Sequence, residues 1–355
     1  MKFRKCLYWL IVVLIYPISC SYNYNTKDFS KNNTLKTIKN NNNPILNGGI
    51  NKHIAGNCII KDQQGDTLLF YYQNNKTLSK NVIGLAKSKD NIHFDKLENP
   101  ILLPGNENEW DGGGVSVFPN CMIQRRDGTY SLYYSGIKNG APDFYWDGNG
   151  AIGVAFSKDL EHWTKYDNNP ILVRDSNIEW ESEGVFEPSV IFSGDEYGGP
   201  GAFQMWYGGN NKQGRMSIGY AESINGLNWV KHVSNPVITF SNLKTDFDSH
   251  TVEVHNVLKV NNQYVMAYEA TDRYFPSRFA IGLAFSKDGV IWDKSLTNPL
   301  LEGGTTGSWD CMGAYHPSIL IENDEILIFY VGLNYEYEHQ IGVAEINPLY
   351  IYNYK

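Results

Sequence analysis

Three glutamates that break the symmetry of an internal repeat are the residues of this 355-residue chain best suited to chemistry. Glu187 lies in "FEPSV", Glu253 in "TVEVHN" and Glu269 in "AYEAT", where the other copies of the repeat have no acidic residue. A carboxylate at the inner end of a strand is costly to bury unless it has a partner or a function. We therefore predict that these three side chains belong to a functional site.

Four other acids recur once per repeat, each after an aromatic residue. They are Asp111 in "WDGGG", Glu181 in "WESEG", Asp248 in "FDSH" and Asp310 in "WDCMG". A residue repeated in four units usually holds a loop, so the pattern favours a structural role. Asp111 remains a candidate catalytic carboxylate, because the first unit, "HIAGNCII", has Ala55 where the third has Glu187 and offers no acid of its own.

The elements that must position these side chains are the strands of a fivefold repeat. The motif IG-x-A recurs at intervals of roughly 60 to 70 residues, which is typical of a radial or solenoid array, and begins at Ile83, Ile152, Ile218, Ile281 and Ile341. Two apolar strands precede each motif, and a polar turn with an aromatic strand follows four of them. Four short antiparallel strands make a propeller blade. We therefore predict an all-β fold, a five-bladed β-propeller of four-stranded antiparallel blades.

The segment "NPIL" at Asn43 stands ahead of the first unit, although its other copies follow an aromatic strand. The fifth unit ends soon after "IGVAEI" and has no aromatic strand of its own. We therefore predict that residues just before Asn43 supply the missing outer strand and close the ring. The predicted boundaries are a polar tether and closing strand at 21–42, the propeller at 43–348 and a tail at 349–355.

With these motifs the chain resembles the five-bladed β-propeller glycoside hydrolases, the superfamily that holds families 32, 43, 68, 117 and 130. The resemblance implies a protein that acts on an oligosaccharide or polysaccharide and needs no cofactor, although a structural cation such as calcium in the central channel is compatible with it. In family 43 it implies a general-acid Glu in the fourth blade, where Glu253 lies, and a carboxylate that tunes its pKa in the third, where Glu187 lies. The base Asp of the first blade has no counterpart here.

We predict a glycoside hydrolase in which Glu253 is the acid and Glu187 or Asp111 is the partner carboxylate, and three interpretations of the gap in the first unit stay open. Another carboxylate, Asp111 or Glu183, takes the role of the base in a hydrolase. Alternatively the chain is a phosphorylase of the family 130 type, in which Arg273 and Arg278 join His250, His255 and His316 in an anion site. The third interpretation is a glycan-binding propeller without activity.

Further side chains are candidates for substrate binding. His250 and Arg273 flank the strands of the fourth unit, and His316 holds in the fifth unit the place of Glu187. Tyr145 and Trp146 lie in an insertion of the second unit, "GIKNGAPDFYWDGNG". Aromatic rings stack on the apolar faces of sugars, so this insertion is predicted to form a binding rim.

Charge and the N-terminus indicate where the protein works. A net charge of -8, with no cluster of Lys and Arg, argues against a nucleic-acid partner. Residues 1–20 combine basic residues with a short apolar run, which predicts an export signal. Its end, Ile18-Ser19-Cys20, resembles a lipoprotein signal in which Cys20 is acylated. We therefore predict an exported protein, lipid-anchored at the bacterial cell envelope or secreted, with this anchor as its one membrane contact.

Overall fold

The computed structural model describes residues 35–48, 53–139, 150–193, 203–273, 278–322 and 325–352. Apart from a 3-10 turn at Glu179–Glu181 and a four-residue helix, α1 (Leu349–Tyr352), the regular elements in these ranges are strands. The predicted all-β class is thus confirmed. No helix among these residues is long and apolar enough to cross a membrane. The predicted signal, Cys20, Tyr145 and Trp146 lie outside the described residues.

The strands follow the units of the sequence repeat. Strand β1 (Thr37–Lys39) precedes the units, and the first unit contains β2 (Ile54–Lys61), β3 (Thr67–Asn75), β4 (Lys80–Ser88) and β5 (Asp95–Lys96). The second unit contains β6 (Gly114–Ser116), β7 (Met122–Gln124), β8 (Tyr130–Ile137), β9 (Gly150–Ser157), β10 (Thr164–Lys165) and β11 (Leu172–Val173), and the third contains β12 (Gly184–Phe192), β13 (Phe203–Asn210), β14 (Met216–Ser223) and β15 (Val230–Lys231). The fourth unit contains β16 (Thr251–Val260), β17 (Gln263–Thr271), β18 (Phe279–Ser286), β19 (Asp293–Lys294) and β20 (Leu301–Glu302), and the fifth contains β21 (Gly313–Glu322), β22 (Glu325–Leu333) and β23 (His339–Ile346). Within each unit, consecutive long strands pair antiparallel.

The N-terminal segment pairs with the last unit. Strand β1 runs antiparallel to β23, and the Asn43 carboxamide donates to the carbonyl of Val343 (2.8 Å) and accepts from its N–H (2.9 Å). Asn169, Asn235 and Asn298 bind the third strands of their own units in the same way. The Asn of the first "NPIL" therefore binds the fifth unit. The predicted pairing of the N-terminal segment with that unit is confirmed.

The glycine of each IG-x-A motif makes room for an aromatic ring, a tyrosine of the neighbouring strand or a nearby tryptophan. The Tyr and Gly register partners are Tyr71 and Gly84, Tyr134 and Gly153, Tyr207 and Gly219, Tyr268 and Gly282, and Tyr330 and Gly342. A Cβ on Gly84 would lie 2.5 Å from the Tyr71 ring, and one on Gly282 would lie 2.7 Å from the Tyr268 ring. A side chain in these positions would displace an aromatic ring, which explains why the motif requires Gly.

The acids that follow an aromatic residue form a repeated polar set. Each accepts hydrogen bonds from a lysine at 2.5–2.6 Å and a tyrosine hydroxyl at 3.0–3.3 Å; the lysine–acid–tyrosine sets are Lys165–Asp111–Tyr134, Lys231–Glu181–Tyr207, Lys294–Asp248–Tyr268 and Lys39–Asp310–Tyr330. Asp111 thus has the same partners as its counterparts in the other units. We interpret it as part of this framework, since both Tyr134 and Lys165 donate to its Oδ2, and its catalytic role stays a prediction.

Candidate active site

The inner strands β2, β12, β16 and β21 share a register irregularity near their starts. In three of them a residue at this point has a positive φ, namely Gly56 at 64°, Glu187 at 61° and His316 at 50°. A bulge re-aims its side chain out of the regular alternation, and a positive φ is uncommon for Glu or His. Glu187 and His316 therefore hold equivalent places, as the sequence predicted. Their counterpart in the first unit is Gly56; the alignment with Ala55 was wrong by one residue.

The first unit has no space for a carboxylate at this place. A Cβ on Gly56 would lie 2.2 Å from the carbonyl oxygen of Val117 and 2.6 Å from the Tyr72 ring. The backbone of the second unit approaches too closely for any side chain. This steric limit explains why the first unit lacks the acidic residue that family 43 would have there.

Glu253 and Glu269 lie directly opposite each other on β16 and β17. The Cβ atoms of such opposed residues are about 4.5–5.5 Å apart. Glu269 is also the register partner of the isoleucine of its IG-x-A motif, a position with uncharged residues in the other units: Tyr72, Ser135, Gly208 and Val331. Two symmetry-breaking glutamates therefore meet in the fourth unit.

Burial raises the pKa values of this pair. It raises the pKa of Glu253 to about 7, against a hydrogen bond from the Thr251 hydroxyl to Glu253 Oε1 (2.6 Å) that lowers it. Burial, and then the charges of Glu253 and Glu187, raise the pKa of Glu269 well above its usual value. The three carboxyl groups thus form one electrostatic cluster, which we call the carboxylate cluster. Glu253 is its partly exposed member, whereas Glu187 and Glu269 are buried.

His316 links the carboxylate cluster to the first unit. Its backbone N–H donates to Glu269 Oε2 (3.1 Å), and its Nδ1 accepts from the Gly56 N–H (3.0 Å). The imidazole is therefore protonated on Nε2, which lies 3.7 Å from the same Glu269 oxygen. Burial lowers the pKa of His316 well below its usual value. In the described ranges no group of three His, Cys, Asp or Glu side chains could hold a metal ion, and the channel cation stays a prediction.

A group of basic side chains lies around the start of β16, the strand that carries Glu253. The Thr251 hydroxyl contacts the Thr271 hydroxyl (2.7 Å), which in turn lies 3.5 Å from Nδ1 of His250. Burial, and then the charges of Arg215 and Arg273, lower the pKa of His250. We call Arg215, His250 and Arg273 the basic group.

The backbone around Ser249 fixes one arginine of the basic group. Arg273 donates from its backbone N–H to the Ser249 hydroxyl (3.2 Å) and from Nε to the Ser249 carbonyl (2.5 Å). Arg215, at the turn before β14, carries its guanidinium 4.4 Å from the centre of the Phe240 ring. Sequence reasoning missed Arg215, since nothing in its own unit distinguishes it. His255, which the anion-site interpretation included, is fully buried in the core among aromatic residues such as Trp206.

Comparison with known proteins identifies the family of the chain. The family profile described as "Glycosyl hydrolases family 32 N-terminal domain" matches residues 118–319, more than half of the chain. The chain belongs to this family. The matched range contains all three glutamates of the carboxylate cluster, together with His316 and the basic group.

Relatives of this family 32 chain include phosphorylases. A 1,2-beta-oligomannan phosphorylase from Thermoanaerobacter sp. (strain X514) is 28% identical over 134 residues, 36% of this chain and 42% of the relative. The alignment thus spans less than half the length of that curated relative.

Solved structures extend the likeness to most of the chain. A beta-1,2-mannobiose phosphorylase from Listeria innocua is 15% identical with a TM-score of 0.65, covering 89% of this chain and 98% of that one. A second structure, described with the GH130 family of mannoside phosphorylases that contains glycoside hydrolases, is 17% identical with a TM-score of 0.65, covering 88% and 94%. At this level of identity these structures show the fold alone, and the predicted resemblance to the propeller glycoside hydrolase superfamily is confirmed.

The raised pKa of Glu269 makes a testable link between pH and stability. A carboxyl whose pKa is higher in the folded state stabilises the fold fully below its unfolded pKa, near 4.5, and this contribution is lost as the pH rises through the folded pKa. Glu269→Gln removes the titration and keeps the shape of the neutral acid. We therefore expect the variant to become more stable than the wild type as the pH rises, by about 1.4 kcal/mol for each unit of raised pKa that is passed.

Thermal unfolding at acidic and alkaline pH measures this effect. Glu325→Gln, at an exposed position, is the matched control and should follow the wild type at both pH values. Parallel curves for wild type and Glu269→Gln would show that Glu269 does not bind its proton more tightly in the folded state.

Proposed function

We propose that the chain cleaves a glycosidic bond of an oligosaccharide and transfers the released sugar to inorganic phosphate. The observation that carries this proposal is the position of Glu253: this partly exposed residue with a raised pKa lies opposite the buried Glu269, on the strand that His250 of the basic group directly precedes. Cleavage needs a proton on the leaving oxygen and a nucleophile at the sugar carbon. Glu253 supplies the first, and phosphate held by the basic group supplies the second.

Glu253 acts as the general acid in this proposal. With a pKa of about 7 it holds its proton below neutral pH and can still release it in the reaction. The Thr251 hydroxyl fixes the orientation of the carboxyl group through its hydrogen bond to Oε1. Because the acid form is the active one, kcat should fall as the pH rises through about 7.

The basic group matches the charge of phosphate. A guanidinium offers paired N–H donors to two oxygens of one anion, and a neutral imidazole adds a further donor. Burial lowers the pKa of His250 most and the charges of the two arginines lower it further; an anion bound between these side chains would offset the repulsion. Such a site needs no base in the first unit, where Gly56 leaves no room for one.

The relatives suggest the sugar. Several phosphorylases and hydrolases similar to this chain are described as acting on beta-1,2 mannosidic linkages. We propose β-1,2-linked mannosides as its substrate class. We further propose that the units are five blades of one propeller and that pairing of β1 with β23 closes the ring, as the register of these strands supports.

A product assay tests the function. Purified protein is incubated with β-1,2-mannobiose, with and without inorganic phosphate, and the products are separated by anion-exchange chromatography. We expect mannose 1-phosphate and mannose in the presence of phosphate, and neither without it. Free mannose as the sole product in both arms would contradict phosphorolysis.

Phosphate affinity tests the assignment of the basic group. We expect Arg215→Gln to raise the KM for phosphate roughly tenfold or more, because one charge-assisted hydrogen bond contributes about 1.5–3 kcal/mol, while the KM for the sugar changes little. Arg126→Gln, at an exposed position, is the control. A KM for phosphate equal to that of the control would remove Arg215 from the site.

Hydrolysis is the second candidate function. It is favoured by Glu187, whose charge reaches Glu269 and whose positive φ turns it out of the regular strand alternation. In that reaction Glu187 would activate water while Glu253 donates the proton. Release of free sugar without phosphate, lost in Glu187→Gln, would establish this alternative. Sugar binding without any product would instead indicate a glycan-binding protein.

A further inference from the structure

Two histidines meet where the first and last units join. His53, just before β2, forms a parallel bridge with His339 at the start of β23. Their ring centroids are 4.2 Å apart at an interplanar angle of 61°. Both side chains are partly exposed. Neither belongs to the repeat pattern, and neither has a role in the proposed chemistry above.

This histidine pair lies at the same end of the strands as the carboxylate cluster. Strand β23 runs parallel to β21, because both are antiparallel to β22, and β2 begins beside the start of β23. A continuous set of contacts connects the two places. The Tyr315 hydroxyl hydrogen-bonds to Nδ1 of His339. The Tyr315 ring packs against the His316 ring with 4.6 Å between the ring centroids, and the backbone N–H of His316 donates to Glu269.

The two imidazoles are neutral under ordinary conditions. Burial lowers the pKa of His53, and burial together with the charge of His53 lowers the pKa of His339 to about 3. A neutral imidazole has one N–H donor and one acceptor nitrogen, and its flat face packs against C–H groups. These properties suit a sugar ring, which offers hydroxyls that both donate and accept.

We infer that His53 and His339, backed by Tyr315, form a sugar-binding subsite at the junction of the first and last units. The subsite binds the hydroxyl groups and one C–H face of a sugar ring next to the bond that is cleaved. This inference rests on the proposed function for its substrate class, but binding itself does not require turnover. Other ligands fit less well, because the described residues provide no metal-binding group and neutral imidazoles do not attract an anion.

Imidazole NMR tests the subsite directly. The probe is β-1,2-mannobiose, with mannose as the shorter comparison, titrated into full-chain protein with 15N-labelled histidine. We expect the ring resonances of His53 and His339, assigned with His53→Gln and His339→Gln, to shift on saturation, and those of the exposed His162 to stay unchanged. Unchanged resonances of the pair with both sugars would overturn the inference, whether or not the protein turns over substrate.

Kinetics separate this subsite from the catalytic machinery. We expect His339→Ala to raise the KM for β-1,2-mannobiose roughly tenfold with kcat changed little, the signature of lost uniform binding. His339→Gln, which keeps a donor and an acceptor, should recover part of the loss, and His162→Ala is the control for the same substitution at an exposed position. A KM for His339→Ala equal to that of His162→Ala would overturn the subsite.

The two proposals fail in different ways. Shifted imidazole resonances without any product would reject the proposed cleavage and keep the subsite. Normal phosphorolysis with unshifted resonances would do the reverse. Circular dichroism of His339→Ala and His339→Gln checks that a change in KM is not caused by unfolding.

Discussion

Replacing Glu253 with Gln is expected to lower kcat for β-1,2-mannobiose by roughly 10²–10⁴-fold, the usual contribution of general acid catalysis. The carboxamide has the size of the acid and can still receive the Thr251 hydrogen bond, but it has no proton to give. Sugar binding should therefore be retained. Initial rates and an equilibrium titration on the same preparation measure the two effects separately.

The leaving group makes this prediction specific to proton donation. An aryl mannoside with a weakly basic leaving group needs no protonation, so Glu253→Gln should lose far less activity on it than on the disaccharide. Glu325→Gln is the control and should match the wild type on both substrates. Equal losses of Glu253→Gln on both substrates would show that residue 253 does something other than donate a proton.

Removing Glu181 is expected to have the largest effect on stability, lowering the free energy of unfolding by about 3–5 kcal/mol. This carboxylate is fully buried and accepts hydrogen bonds from Lys231 (2.5 Å) and from the Tyr207 hydroxyl (3.1 Å). Glu181→Ala leaves the ammonium group of Lys231 without its counter-charge and the hydroxyl without its acceptor. Urea unfolding followed by tryptophan fluorescence measures the change.

A neighbouring glutamate provides the control for this substitution. Glu179 lies on the same 3-10 turn but is exposed, so Glu179→Ala should cost less than about 1 kcal/mol, as for most surface substitutions. A similar loss in both variants would mean that the lysine–acid–tyrosine set does not stabilise the fold.

Much of the fold could be predicted because the residues that each unit needs for the same contact recur at the same place in the repeat. The IG-x-A glycine recurs since an aromatic ring packs against it in each unit, and the Asn before Pro recurs since it binds a strand of its unit, as Asn43, Asn169, Asn235 and Asn298 do. Asn43, ahead of all units, was therefore recognisable as the partner of the last one. The structural role of the acids that follow an aromatic residue was predictable for the same reason.

The site was only partly predictable, because it depends on register and on contacts between units. The sequence identified Glu187, Glu253 and Glu269 by their broken symmetry but could not show that Glu253 and Glu269 are opposed. The bulge in β2 makes Gly56, and not Ala55, the counterpart of Glu187. The close approach of the Val117 carbonyl explains why this position is a glycine.

Other residues of the two proposed sites could not be predicted from the sequence, because their contacts exist only in the folded protein. Arg215 carries no signal of its own in the sequence, and it was recognised only from its effect on the pKa of His250. His53 and His339 are almost the whole length of the repeat array apart in sequence, and they meet because the N-terminal segment returns to the last unit.

The most direct test of the central claim is a crystal structure of Glu253→Gln with β-1,2-mannobiose bound. We predict that the glycosidic oxygen lies within hydrogen-bond distance, about 2.6–3.2 Å, of the residue 253 carboxamide. The basic group should face the anomeric carbon from the opposite side. A disaccharide bound with its glycosidic oxygen away from residue 253 and the carboxylate cluster would contradict the assignment of Glu253 as the proton donor.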